Sequence, residues 1–199
     1  MADERQRPTR VRLTGLQEAQ LPALVELERA CVAMYQEVGF DAAEVPARGT
    51  ADFVRLTRDH NLHVAEADGE VAGYLAWRDE SPGVAYLADV SVHPSFQRFG
   101  IGTRLLDALR TDARSLGVDV VVVRCWTKAT WAKGFYERAG FAPIDEAAPA
   151  KVRAWRDARS QGRPLTRPGE VALWAAIGNA EKGPWDDDVT TEGTAISGD

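Results

Sequence analysis

Cysteine is scarce in this chain of 199 residues: there are two, Cys31 and Cys125, each within or beside an apolar run. There is no CxxC, and only three histidines, so the sequence offers no metal-ligand spacing. Two isolated thiols suit a reducing compartment, and the expectation is a cytoplasmic protein with no metal. Long apolar runs are missing as well. The longest uninterrupted aliphatic stretch, Val120 to Val123, falls far short of the roughly 20 residues that span a bilayer. The opening MADERQRPTR lacks the apolar core of a signal peptide, so none is expected, and with no spanning run no membrane partner is expected either. Basic charge is short too. Lysine and arginine total 24 against 30 acids, a formal net charge of −6, whereas a general nucleic-acid binder would normally be basic.

What remains is an ordinary globular composition, 45% hydrophobic and 27% charged, at a length that suits one domain. Residues 1–10 read as a flexible polar arm, 11–182 as the domain, and 183–199 as an acidic, disordered tail. That tail carries five acids and no base, so residues 1–182 are close to neutral. Along the domain, Val11 to Leu16 alternates as a strand. Leu21, Leu24, Val25, Leu27, Glu28, Cys31, Val32 and Tyr35 recur at helical spacing. A second short helix, marked by Phe53, Val54 and Leu56, ends near Asn61. Two strands then flank an Asp68-Gly69 turn, and Val84 to Val92 forms a third strand. From Ile101 the period returns to that of a helix, followed by the valine-rich strand Val118 to Cys125. A short helix over Thr130–Ala139, a strand from Phe141, a helix within 151–159 and a last strand over 171–177 complete the order. Antiparallel strands followed by a strand–helix–strand crossover predict a mixed sheet in an α/β or α+β domain.

The densest chemical signal is Val90 to Thr103, VSVHPSFQRFGIGT. A strand ends at His93-Pro94, and a loop with glycines at 100 and 102 leads straight into a helix. Glycine lets the backbone approach a ligand closely, and first-turn amides with the helix dipole favour an anion such as phosphate. Arg98 and Arg104 add charge to that neighbourhood. A dinucleotide fingerprint would want glycine or alanine at position 105, where Leu105 stands, and no Gly-Lys-Ser/Thr of a P-loop follows.

One helix and one strand later stands Ala132-Lys133-Gly134-Phe135-Tyr136-Glu137-Arg138-Ala139-Gly140-Phe141. With both landmarks in place, the chain resembles the GNAT superfamily of acetyl-CoA-dependent N-acetyltransferases. Val92-His93-Pro94, Gln97, Gly100 and Gly102 fit the first half of that family's pattern. Ala132, Phe135, Tyr136, Glu137, Gly140 and Phe141 fit the second. The resemblance implies a mixed, mostly antiparallel central sheet with splayed parallel strands, flanked by helices. It implies acetyl-CoA as co-substrate, with the backbone of Val90, Ser91 and Val92 pairing with the pantetheine arm. The amides of Gln97, Arg98, Phe99, Gly100, Ile101, Gly102 and Thr103 would hold the pyrophosphate. It also implies direct attack by an amine of a small molecule or peptide on the thioester. Tyr136 would be the general acid for the departing thiolate, with core packing as the alternative. Asp89, a carboxylate in an apolar strand, would bind the substrate ammonium or act as base, or else stand on a half-exposed face.

Other residues carry less. His93 reads as a turn residue, His60 and His63 as surface histidines, and Cys125 as a buried small hydrophobe. Ala129 stands where relatives often carry asparagine, and Thr130 is the nearest substitute. Trp77, Trp126 and Trp131 flank the expected cleft and serve either an acceptor pocket or packing, including a homodimer contact. The charged segment 145–170 would cover the acceptor site or form such a contact. Two other functions remain: a catalytically silent acyl-CoA-binding sensor or assembly module, and an acetyltransferase for a protein lysine or N-terminus.

Overall fold

The computed structural model describes residues 7–161 and 164–178; the acidic tail expected over 183–199 lies outside the described residues. The order is β1 (Val11–Gly15), α1 (Leu21–Glu37), α2 (Thr50–Asp59), β2 (Asn61–Ala67), β3 (Glu70–Ser81) and β4 (Val84–Val92). It continues with α3 (Ile101–Ser115), β5 (Val120–Trp126), α4 (Thr130–Arg138), β6 (Ala142–Pro143), α5 (Ala150–Ser160) and β7 (Glu170–Ala176). The strands form one seven-stranded sheet in the order β1-β2-β3-β4-β5-β7-β6. It is mostly antiparallel, with β4 and β5 as its parallel pair. The mixed α/β class expected from the sequence is the class observed.

The described chain clusters into two compact units, residues 7–76 with 89–108, and residues 77–88 with 109–178. In the first, α1 starts with Pro22 in its first turn, where a missing N–H costs nothing. It buries Leu21, Leu24, Leu27, Glu28, Cys31 and Val32 along one stripe. It stops at Gly39, whose φ of +87° suits glycine. Asp68 and Gly69, at φ +50° and +89°, form the tight turn between β2 and β3 that their residue types predict. Asp68 also receives the N–H groups of Thr9 and Arg10 and the Thr9 hydroxyl. Residues 9 and 10, read from the sequence as part of a loose arm, are therefore tied to this turn. Gly73 of β3 has a specific reason to be glycine: a Cβ there would stand 2.9 Å from the Ser91 carbonyl oxygen. That backbone cannot yield, so the close approach of β3 and β4 depends on the missing side chain.

In the second unit, β5 pairs with β4 from Val84↔Val120 to Leu87↔Val123 and with β7 along its whole length. Val120 to Val123 are all buried, which explains an unbroken aliphatic run with no polar alternation. α5 covers this sheet by seating Val152 and Trp155 against Val84, Val120, Val122 and Ala148. No helix among the described residues is long and apolar enough to cross a membrane.

Candidate active site

The glycine loop lies in the first unit. It begins at His93, whose Nδ1 accepts the Ser95 N–H and caps a single 3-10 turn over Pro94–Phe96. This is the turn role read for His93. Gln97 closes the turn: its N–H donates to the Pro94 carbonyl, and its side-chain amide donates to the Val92 carbonyl at 3.1 Å. Gln97 thus braces the loop rather than offering its own amide to a ligand. Arg98 follows at φ +70° and Gly100 at φ +82°. A left-handed residue other than glycine costs about 1–2 kcal/mol, so surrounding structure holds Arg98 there. Alternation of left- and right-handed residues turns successive N–H groups toward one side, making an anion-binding concavity. The Arg104 N–H donates to Gly100 O, which makes Gly100 the helix cap. The amides of Ile101, Gly102 and Thr103 then have no acceptor within α3 and point out of its positive end. Arg98 is exposed beside them. Arg104, the second cation expected there, instead donates to the Val11 carbonyl at 2.9 Å.

The strand before the loop is partly committed as well. His93 N–H donates to Ala72 O of β3, so by strand alternation the Ser91 peptide faces β3 and the Val90 peptide faces away. The Val92 carbonyl accepts from Gln97 and from the Cys31 thiol. Of the three residues expected to pair with a ligand, Val90 has the peptide groups best oriented for it.

Asp89 stands in a network that the sequence reading did not anticipate. Its Oδ2 accepts from Arg48 Nη1 at 2.5 Å and lies 2.9 Å from the Tyr74 hydroxyl, while Oδ1 accepts from Ser91 Oγ at 3.3 Å. The same Arg48 nitrogen lies 2.9 Å from Glu28 Oε1, and the Tyr74 hydroxyl is 2.7 Å from Glu28 Oε2. The Glu28 and Asp89 side chains are 6% and 21% exposed, so Glu28 is sealed and Asp89 is reachable. Burial raises the Glu28 carboxyl above its ordinary value, and the Asp89 charge adds to that rise. Burial, then the two carboxylates, holds Tyr74 well above the usual phenol range, so it stays a hydroxyl. Phe53 of α2 closes the site with an edge-on ring contact to Tyr74. A signal for Glu28 existed in the sequence: it is the one charged residue on the buried stripe of α1.

In the second unit, Tyr136 is buried on α4 with Phe135 and Phe141 each 5.3 Å away, centroid to centroid. Ala129 caps α4 without a side-chain hydrogen bond. An asparagine at such a cap would typically add about 1 kcal/mol of helix stability. Cys125 is raised to about 11, first by burial, and in the first unit Cys31 to about 12, also first by burial. Neither is a thiolate nucleophile at neutral pH. Trp77 and Trp155 are core residues, the latter stacked on Tyr86. Among the described residues no cluster of His, Cys, Asp and Glu could hold a metal ion.

The glycine turn after β4 and the Phe-Tyr pair on α4 are the two sequence landmarks that resemble the acyl-CoA-dependent transferases. Residues 21–141 match the Acetyltransferase (GNAT) family, and the chain belongs to it. No curated protein matches the sequence at a significant level. Among solved structures, the fold is shared with the PaiA N-acetyltransferase of Thermoplasma acidophilum in complex with coenzyme A. The TM-score is 0.67 at 13% identity, over 84% of this chain and 99% of that one. The ribosomal-protein-S18-alanine N-acetyltransferase of Escherichia coli gives 0.59 at 17%, over 88% and 99%. N-acetylglutamate synthase from Neisseria gonorrhoeae, complexed with coenzyme A and N-acetyl-glutamate, gives 0.58 at 22%, over 86% of this chain and 36% of that one.

Proposed function

We propose that this acetyltransferase moves the acetyl group of acetyl-CoA to an amine of a small molecule or peptide. The observation that carries the reading is the turn into α3, where left-handed Arg98 and Gly100 precede the free first-turn amides of residues 101–103. Such a turn suits a diphosphate, and the outward peptide of Val90 suits an extended amide chain that adds to the strand edge. The acceptor enters as an ammonium, since an alkylamine titrates near ~10. Asp89 attracts it and takes its proton. The freed nitrogen lone pair forms the N–C bond while the C–S bond breaks, Tyr136 gives its proton to the departing thiolate, and the surplus N–H proton of the new amide passes to the Tyr136 phenolate. A developing oxyanion is met by main-chain N–H of β4 near Val90. Two buried free thiols support a reducing, cytoplasmic setting.

The test is free-thiol release from acetyl-CoA over a panel of amines: spermidine, lysine, glutamate and an N-terminal alanyl peptide. Amine-dependent release that falls in Tyr136→Phe supports the reading, and the reactive amine fixes the acceptor class. Tight CoA binding with no release for any amine would leave a binding module instead.

A further inference from the structure

The cluster around Tyr74 has too few protons for its contacts. Arg48 Nη1 lies within hydrogen-bond distance of Glu28 Oε1, Tyr74 Oη and Asp89 Oδ2 and has two protons to give. Tyr74 Oη lies close to Glu28 Oε2 and Asp89 Oδ2 and has one. Three protons serve five short contacts. A fourth, on Glu28 Oε2, would donate to Tyr74 Oη and free Tyr74 to donate to Asp89. Charge points the same way. Two ionised carboxylates and one guanidinium leave one surplus negative charge in a site where Glu28 is 6% exposed, and one added proton cancels it. The other groups around it change nothing: Cys31 of α1 stays a thiol, Ser91 of β4 is neutral, and Phe53 of α2 is apolar.

We infer that Glu28 and Asp89 share one proton through the Tyr74 hydroxyl, and that this shared site receives the proton of the acceptor ammonium. The inference rests on the proposed amine acetylation. The shared proton first leaves to solvent; the ammonium N–H bond then breaks, its electron pair stays on nitrogen, and the proton bonds to Asp89. Asp89 Oδ2 passes it to Tyr74 Oη as the hydroxyl's own proton moves to Glu28 Oε2. Tyr74 and Asp89 are restored, the amine is neutral, and Glu28 is a carboxylic acid until the proton returns to solvent. Asp89 touches the substrate; Tyr74 and Glu28 act through it and are positioning residues.

The experiment is an infrared pH titration of the free full-length chain, following the carboxylic-acid band, in wild type, Glu28→Gln, Asp89→Asn and Tyr74→Phe. The wild type is expected to keep a protonated carboxyl above the ordinary carboxylate range. The band should vanish in Glu28→Gln and move to lower pH in Asp89→Asn, where the like charge is gone. In Tyr74→Phe it should remain but titrate at a different pH, because the shared hydroxyl is missing. No such band in wild type, or one unchanged in Glu28→Gln, overturns the inference. The kinetic arm uses whichever panel amine turns over. Glu28→Gln should lower kcat on the order of 10²-fold with the KM for acetyl-CoA unchanged, and shift the pH profile. An unaltered pH profile contradicts it. Binding of acetyl-CoA with no amine acetylated defeats the proposed function instead, and the infrared titration still decides the shared proton.

Discussion

Arg48 Nη1 stands 2.5 Å from Asp89 Oδ2, and the same nitrogen reaches Glu28 at 2.9 Å, so one guanidinium from the segment between α1 and α2 balances carboxylates on α1 and β4. Arg48→Met would leave the negative charge of the Glu28–Asp89 pair without its counter-charge. Breaking a fully buried pair costs about 3–5 kcal/mol. Asp89 and Arg48 keep 21% and 31% exposure, so solvent screens part of the loss. A destabilisation of about 2 kcal/mol is expected, read from the urea midpoint at constant slope. Asp89→Asn in the same background should recover part of it, because the negative charge left without a partner is then gone.

Stability should depend on pH through Glu28 with a definite sign. The folded protein raises this carboxyl above 4.5, chiefly by burial. Between the ordinary value and the raised one, the folded state binds more protons than the unfolded state, so stability falls as pH rises. Glu28→Gln should flatten that slope in thermal melts. Glu66 has the opposite sign: burial pushes it up, but hydrogen bonds from Arg12 and Gln20 outweigh this and lower it. Its contribution is present above the ordinary range and lost as pH falls, so Glu66→Gln should alter the acid side of the curve.

Arg98 separates fold from binding. Its φ of +70° is a conformation glycine adopts freely, so Arg98→Gly should raise stability by up to about 1 kcal/mol. The same change removes the exposed cation beside the first-turn amides. Affinity for CoA, measured by calorimetry, should drop about two- to fivefold, in line with an exposed ion pair.

Tyr136→Phe keeps the ring contacts with Phe135 and Phe141 and removes only the hydroxyl. Unfolding free energy should change by no more than about 1.5 kcal/mol. Turnover should fall roughly 10²- to 10⁴-fold if the hydroxyl protonates the thiolate. A normal rate with normal stability would assign Tyr136 to packing.

Much of this was legible in the residues, because local chemistry decided it. Leu24, Leu27 and Val32 set the face of α1, Asp68-Gly69 set a turn, and Val120 to Val123 set a buried strand. The loop was legible because glycine and proline punctuate it. What the chain order hid were partners distant in sequence. Arg48 lies 41 residues from Asp89, and Tyr74 lies 46 from Glu28; nothing in local periodicity couples them. The two arginines near the loop looked alike in sequence, yet Arg104 turns to the Val11 carbonyl while Arg98 stays exposed. Such choices are made by packing, which a one-dimensional pattern does not carry.

The most direct test of the account is a calorimetric titration of acetyl-CoA into the wild type and into Gly102→Asp. An aspartate in the first turn of α3 favours the helix dipole, so the variant should melt at or above the wild-type temperature. Its carboxylate would repel a diphosphate held by those amides, and affinity should fall at least about tenfold, or 1.4 kcal/mol. Equal affinity in the two proteins would contradict the proposed seat of the cofactor phosphates on the turn from Arg98 to Thr103.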